Sequence, residues 1–549
     1  MRQSGDSGAR APLWLSALSA LLLAGGAAVA QSPAETPKQR AISAIVRDSN
    51  PRIPGAEHPL PLAASWNTGV KPLGFTPSWQ IEQIERGRYL LPWFWLGAPP
   101  AGPGTAPGYA TVFDAIYYGS AIGYLARHHL PLTFEMPPWE TLLPRASSAY
   151  AKTDASGHPL PLSPFAPVRP WYEAGRGWAA NPSLQQLQRL YPDPPLVLFI
   201  SDNESSKVTA DELHAPYSVN ASMQIIARRQ AIGDAWIVRF KAMIRGFRAG
   251  LVAPAWRSHA LFIGYDAFAA PAMGRWAGWG AYSLYVPGRD EPWPYAWDGA
   301  SVSYYVHDWA PDSDYTVWSP EIESMNYVPA LAQVRRTKPD FWFELSTWDG
   351  QQPGEPTDKL LFYARRGQTY TPDRYGGMVQ FGMWLLRPRV VRGFRGWTED
   401  RIRFEPYFDR IMDAVTRVHR DPVLRDFWRH GRLVENSVGG HPYEAALTPE
   451  LASRPRWFLL DTPANPPRPW QLSTPLAVYS LALVRGREPH RQWLVYAFSP
   501  REHSIRVPVR IPGGPEVTVR AALGGAFTLV QERGPAGRMS TRALEPAGH

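Results

Sequence analysis

The run PPLVLFISDNES, Pro194 to Ser205, decides how this chain is read. Leu196, Val197, Leu198, Phe199 and Ile200 form an unbroken apolar stretch with prolines before it and a polar turn after it. That pattern predicts a short strand buried on both faces, as in a parallel sheet. Asn203 and Glu204 then stand where the strand ends, at the C-terminal edge where such sheets collect their reactive groups. A second run, DFWFELSTWDG from Asp340 to Gly350, has the same form and carries Glu344 toward its end. Two carboxylates at the ends of two separate strands are the pattern from which the chemistry is read.

Working outward, LPLAASWNTG (60–69) predicts a first strand ending at Trp66 and Asn67. RYLLPWFWLG (88–97) predicts a second strand carrying Trp93 and Trp95, and LPLTFEMPPWE a third with Glu135 near its end. Strand four is the opening run, and ALFIGYDAF (260–268) is strand five. ASVSYYVHDW (300–309) is strand six, with Tyr305 and His307, and 340–347 is strand seven. GGMVQFGMWLLRP (376–388) reads as strand eight, with Trp384 as a floor for a bound sugar. Helical spacing appears at Ser78–Arg88, Phe113–His129, Ser183–Leu190, Met223–Gly250, Glu321–Lys338 and Phe404–His430. The Pro/Gly/Ser-rich 141–182 and the aromatic loop 269–299 are long enough to wall a cleft. Eight strands, each followed by a helix or large loop, predict the α/β class and a closed (β/α)8 TIM barrel over 58–432. No G-x-G-x-x-G or P-loop supports a nucleotide-binding sheet instead.

From 433 to 535 the helical spacing gives way to short alternating runs between Gly and Pro turns, the texture of a β-sandwich. The tail, 536–549, reads as disordered, and 31–57 as a disordered leader or a wrapping arm. Residues 1–30 have the form of a secretory signal: Arg2 and Arg10, an apolar stretch from Leu13 to Ala28, and the A-x-A site Ala28-Val29-Ala30. The expected location is therefore secreted or periplasmic, with no stable membrane insertion after cleavage. With no cysteine there is no disulfide, thiolate metal site or lipid-anchor cysteine. The net charge of +9 comes mostly from scattered arginines with no basic run, which argues against nucleic acid as a partner. The chain's 24 tryptophans fit a carbohydrate ligand, because a flat indole stacks on the C–H face of a sugar ring, although most must fill cores.

Cleaving a glycosidic bond requires one carboxylic acid to protonate the leaving oxygen and a second carboxylate to attack the sugar or activate water. Asn-Glu closing strand four, with Glu closing strand seven, resembles the signature of the large clan of retaining (β/α)8 glycoside hydrolases. The form ISDNE is most similar to the DNE variant of certain bacterial β-galactosidases and β-agarases. The resemblance implies Glu204 as general acid/base, Asn203 as ligand of the sugar 2-hydroxyl, and Glu344 as nucleophile. It also implies a poly- or oligosaccharide substrate and no cofactor. No metal is expected, because no H-E-x-x-H or comparable ligand spacing occurs and His128-His129, at a helix end, reads as a cap. Ser205 departs from the clan's usual Asn-Glu-Pro. Trp66, Asn67, Glu135, Tyr305, His307 and Trp384 are further substrate-binding candidates. Glu321 and Glu323 compete with Glu344, but stand where a helix would start and acidic residues are favoured anyway. The alternative from another class is an inactive barrel that binds glycan or assembles cell-envelope polysaccharide.

Overall fold

The computed structural model describes residues 35–50, 58–65, 76–95, 115–136, 167–180, 182–202, 238–267, 298–304, 341–346, 371–394, 401–436, 459–465, 476–534 and 538–545. Those from Pro37 onward belong to one compact unit. It is a mixed α/β body with a parallel sheet and a mainly antiparallel C-terminal sheet. The parallel strands are β1 (Leu62–Ser65), β2 (Phe94–Trp95), β3 (Leu132–Met136), β4 (Val197–Asp202), β5 (Ala260–Ala267), β6 (Gly299–Tyr304), β7 (Phe341–Ser346) and β8 (Val390–Phe394). They lie in the order β1-β8-β7-β6-β5-β4-β3-β2. A further parallel bridge joins Ala63 of β1 to Leu90, just ahead of β2, which is the strand at the far end of that path. It is held by Ala63 N–H donating to the Tyr89 carbonyl at 2.9 Å and Leu91 N–H to the Ala63 carbonyl at 2.8 Å.

The helices among the described residues are α1 (Pro37–Ser49), α2 (Pro77–Glu85), α3 (Ala115–Arg127), α4 (Val168–Ala179), α5 (Pro182–Leu190), α6 (238–250), α7 (Pro254–His259), α8 (Pro372–Leu386), α9 (Arg401–Arg420) and α10 (Pro422–His430). Side-chain alternation tells which face of the sheet they cover. Phe94, Phe134, Phe199 and Phe262 are register partners across β2 to β5. Their rings succeed one another at 6.0, 5.7 and 5.3 Å, and Phe199 also meets Phe247 of α6 and Trp256 of α7. This aromatic ladder is the helix-facing side. On β8, a Cβ on Gly393 would point at Phe408 and Ile411 of α9, so Gly393 also faces the helices. The alternate positions, 198, 200 and 202 on β4 and 390, 392 and 394 on β8, therefore share the opposite, inner face.

Helix α4 crosses α6 with almost no side-chain separation. A Cβ on Gly175 would lie 2.1 Å from the Met243 carbonyl oxygen, and one on Gly246 would lie 1.9 Å from the Tyr172 carbonyl oxygen. Glycine is required there for close approach. These helices precede and follow β4, so the crossing fixes how that strand is flanked.

The sequence expectation fails at the eighth strand. GGMVQFGMWLLRP is not a strand: it lies mostly in α8, and β8 follows at Val390–Phe394. Thr371 caps α8 by accepting from Arg374 N–H, Pro372 starts it, and Arg387 ends it in the left-handed region at φ 45°. The misreading has a physical cause. Helix α8 packs against α9 and against the C-terminal sheet, so nearly every residue from Arg374 to Leu386 is buried. A helix apolar all round has no 3.6-residue periodicity to betray it.

Three smaller expectations change as well. Residues 37–49 of the expected leader are helix α1, with Ala41, Ala44 and Ile45 buried against the core. The closing helical stretch is two helices, because Asp421 accepts from Val423 and Leu424 N–H and caps α10 ahead of Pro422. The tail expected to be disordered contains strand β15, described next. Part of the expected 141–182 loop is also helical, in α4.

The C-terminal strands are β9 (Arg432–Leu433), β10 (Tyr479–Arg485), β11 (Gln492–Phe498), β12 (Ser504–Arg510), β13 (Glu516–Ala522), β14 (Ala526–Arg533) and β15 (Arg538–Leu544). β10, β11 and β14 bury both faces by strict alternation. Tyr479, Leu481, Leu483, Tyr496, Phe498, Phe527 and Leu529 belong to the main core, which they share with α8 and α10. Val478, Ala482, Trp493, Val495, Ala497 and Val530 form a second core with Val507, Val509, Val517 and Val519 of the β12–β13 hairpin. Tyr496 donates its hydroxyl to the Gly377 carbonyl at 2.6 Å, and Gln380 Nε2 donates to the Gly524 carbonyl at 2.8 Å, tying the sheet to α8.

His419 of α9 is buried, donates through Nε2 to the Pro61 carbonyl at 2.7 Å, and stacks on Tyr89 at 3.8 Å. Burial pushes its pKa down from 6.5 to about 3, so it is neutral in the folded protein. The unfolded chain binds this proton from pH 6.5 downward and the folded protein does not, so folding stability drops as pH falls through that window. Asp48, whose pKa burial raises, works in the opposite sense from 3.8 upward. Between pH 6.5 and 5, wild type should therefore lose up to about 1.4 kcal/mol per pH unit relative to His419→Gln, measured by urea unfolding at each pH. Separately, Gly246→Ala should cost roughly 1–3 kcal/mol by the same assay, because α4 and α6 must move apart.

Candidate active site

Of the expected site residues, Glu135, Glu344 and Trp384 lie within the described residues. Glu344 is in β7, with Ser303 of β6 as register partner on one side and Arg392 of β8 on the other. Ser303 pairs in turn with Ala267 of β5. Glu135 lies in β3, in register with Trp95 of β2 and Ile200 of β4. Both glutamates are thus at positions of the inner-face set. Asp202 is the last residue of β4, paired with Tyr265. Asn203, Glu204, Trp66, Asn67, Tyr305 and His307 lie outside the described residues, as do Glu321 and Glu323.

Trp384 is not a site residue. It belongs to α8, has no solvent exposure, and packs edge-on against Trp428 of α10 at 5.1 Å and Phe527 of β14 at 5.3 Å. It fills the seam between the helices and the C-terminal sheet, which follows from the reassignment of 376–388 to a helix. His128 and His129 follow Arg127, the last residue of α3, and His129 lies in the left-handed region at φ 52°.

Arg392 is the residue that the sequence reading missed. It is fully buried on the inner face, with its guanidinium over the Trp93 ring at 5.2 Å. With 376–388 as the expected eighth strand, RPRVVRGF falls in the connection after it. The signal was present, since Val390-Val391 follow a proline and an arginine then interrupts an otherwise apolar strand.

Trp93 is held from below. Trp93 falls between the Leu90 bridge and β2, and its backbone takes partners from elsewhere. Gln80 of α2 supplies them. Its Oε1 accepts from Trp93 N–H at 2.7 Å, and its Nε2 donates to the Trp93 carbonyl at 2.9 Å. Gln80 is itself buried, and α2 is anchored by Thr76, whose hydroxyl accepts from Trp79 N–H.

Among the described residues, no group of three or more His, Cys, Asp or Glu is placed to hold a metal ion. Among the same residues, no helix is long and apolar enough to cross a membrane.

No protein-family model and no curated protein matches the chain. Among solved structures, it is similar to a glycoside hydrolase family 5 enzyme from Prevotella bryantii, a mutant determined with a xyloglucan tetradecasaccharide. The identity is 11%, the match covers 60% of this chain and 95% of that one, and the TM-score is 0.25. A likeness at that score carries no argument about fold or function.

The Gln80 clamp is directly testable. Gln80→Ala leaves a buried N–H and a buried carbonyl without partners, and should lower stability by roughly 2–4 kcal/mol in denaturant unfolding. Gln80→Glu, which keeps an acceptor and loses the donor, should cost as much or more.

Proposed function

We propose that this protein is a secreted retaining glycoside hydrolase acting on a poly- or oligosaccharide, with Glu344 as nucleophile and Glu204 as general acid/base. The observation that carries the reading is the register of the parallel strands. Asp202, the last residue of β4, pairs with Tyr265, two positions before Ala267 on β5. Ala267 pairs with Ser303, and Ser303 with Glu344. Glu344 thus sits on the inner face that Ile200 and Asp202 share, and Asp202 stands two residues before Glu204 in the chain. The Ala63–Leu90 bridge between the two ends of the strand path supports curling the eight strands into a closed (β/α)8 barrel, so that this face becomes its interior. In a barrel the two positions come together across the mouth, where retaining chemistry needs carboxyl groups about 5–5.5 Å apart. Asn203, Trp66, Asn67, Glu135, Tyr305 and His307 would line that mouth, and residues 1–30 would direct export.

The mechanism follows from the roles. Glu204 donates its proton to the leaving oxygen while Glu344 attacks the anomeric carbon. Glu204, now a base, then activates the water that releases the sugar. Glu204→Gln and Glu344→Gln should each fold and lose activity by roughly a thousandfold or more on glycans that wild type cleaves, measured by reducing-end release. Near-normal turnover in either variant would overturn the assignment. Sugar-dependent thermal stabilisation of wild type with no product from any glycan would replace it with a glycan-binding or polysaccharide-assembly role.

A further inference from the structure

The β12–β13 hairpin turns one face to the second core and the other to solvent. Val507, Val509, Val517 and Val519 are buried in that core. The exposed face carries Ser504, Arg506 and Arg510 of β12 and Glu516, Thr518 and Arg520 of β13. Arg506 and Arg520 are register partners, so two guanidinium groups stand directly opposite each other. Like charges in that position destabilise a sheet. Among the described residues, no carboxylate pairs with Arg506. Arg520 donates through Nε to Ser504 Oγ at 3.0 Å and reaches Glu545 only at 3.9 Å, and Arg510 reaches Glu516 only at 3.8 Å. Exposed ion pairs that long contribute little. Resting on the reading of this chain as one that acts on polysaccharide, we propose that this face of the hairpin binds an acidic polysaccharide, with Arg506 and Arg520 as the pair that takes its carboxylate groups.

Charge and shape choose the occupant. Residues 476–534 and 538–545 hold ten arginines and five glutamates, with no lysine or aspartate, so the sheet as a whole attracts a polyanion. A guanidinium is flat and forked, and it takes a carboxylate through two parallel hydrogen bonds. Opposite residues on neighbouring strands have Cβ atoms about 4.5–5.5 Å apart, so neighbouring carboxylates of one polymer can reach both arginines. The bound anion also relieves the repulsion within the pair. A bilayer is a poor match. The exposed large apolar side chains among the described residues are Leu190, Val238, Val252 and Met539, and none is on the hairpin to enter the acyl boundary. Single-stranded nucleic acid is a poor match too, because β12 and β13 carry no aromatic residue on which bases would stack.

The test is binding of the whole protein to biotinylated polygalacturonate, read by biolayer interferometry at low salt, with neutral dextran as the blank. The double variant Arg506→Ser, Arg520→Ser should weaken binding by about tenfold or more. The double variant Arg538→Ser, Arg542→Ser removes the same charge from β15. Arg542 pairs with Leu529 of the main core, so those two arginines lie on the face of the sheet that the hairpin does not cover. That variant should change binding by less than roughly threefold. Arg506→Glu puts opposite charges across the strands, and should keep or raise Tm while abolishing binding. No binding by wild type, equal loss in the two double variants, or a lower Tm in Arg506→Glu overturns the proposal. Tighter binding to an oligo(dT) strand or to phosphatidylglycerol vesicles than to polygalacturonate also overturns it, and assigns the face to nucleic acid or to a membrane. Binding is read without turnover, so the two readings fail separately. Polygalacturonate binding that depends on Arg506, with no product from any glycan, sinks the hydrolase alone, and product without such binding sinks the hairpin site alone.

Discussion

A parallel sheet must hide both of its faces, and in this protein that requirement shapes the elements around it. On the outer face the demand is met by aromatic rings in register, Phe94, Phe134, Phe199 and Phe262, with α6 and α7 laid over them. The helices that flank β4 approach so closely that Gly175 and Gly246 have no room for a side chain. On the inner face, the same alternation places positions 135, 344 and 392. Of these, Arg392 is fully buried, where a charge must be paired or used.

The second consequence is the fusion of the two sheets. Helix α8 is buried between α9 and strands β10 and β11, and the core of the C-terminal strands continues into that of the helices. Tyr496 and Gln380 add hydrogen bonds across the seam, and Trp384 and Phe527 meet within it. The C-terminal sheet is therefore a wall of the body rather than an appended module. Its own second core lies beneath the β12–β13 hairpin and does not involve the helices. Removing the sheet would expose α8 on a face made of Met, Phe, Trp and Leu, so the two parts are expected to fold as one.

Support of the inner face runs through neutral and aromatic groups. Gln80 holds both backbone groups of Trp93, and Trp93 offers its ring to Arg392. On the same body, His419 is kept neutral by burial and joins α9 to the chain entering β1. These contacts bind the first strand, the segment before the second and the strand carrying Arg392 into one region. A site built there depends on residues far from it in sequence.

The strands of the parallel sheet other than the eighth were legible from short apolar runs between turns, because a strand buried on both faces needs little else to declare itself. Helices with one wet face, such as α2, α3 and α5, were legible from their spacing. The strands of the C-terminal sheet were equally plain: β12 and β13 alternate between a buried and an exposed face, and β10, β11 and β14 are apolar runs whose two faces meet different cores. What the residues could not show was anything decided by a neighbour distant in sequence. Helix α8 lost its periodicity because tertiary packing buries every side, and Trp384 went with it from sugar floor to core. Strand β15 reads as a polar tail until β14 supplies its hydrogen bonds. Helix α1 reads as a leader until α2 covers it. The place of Arg392 beside Glu344 exists only in register, a property of two strands and of neither segment alone. Local pattern determined which stretches form elements and where the carboxylates fall on them; only the tertiary structure decided which faces meet and which charges become neighbours.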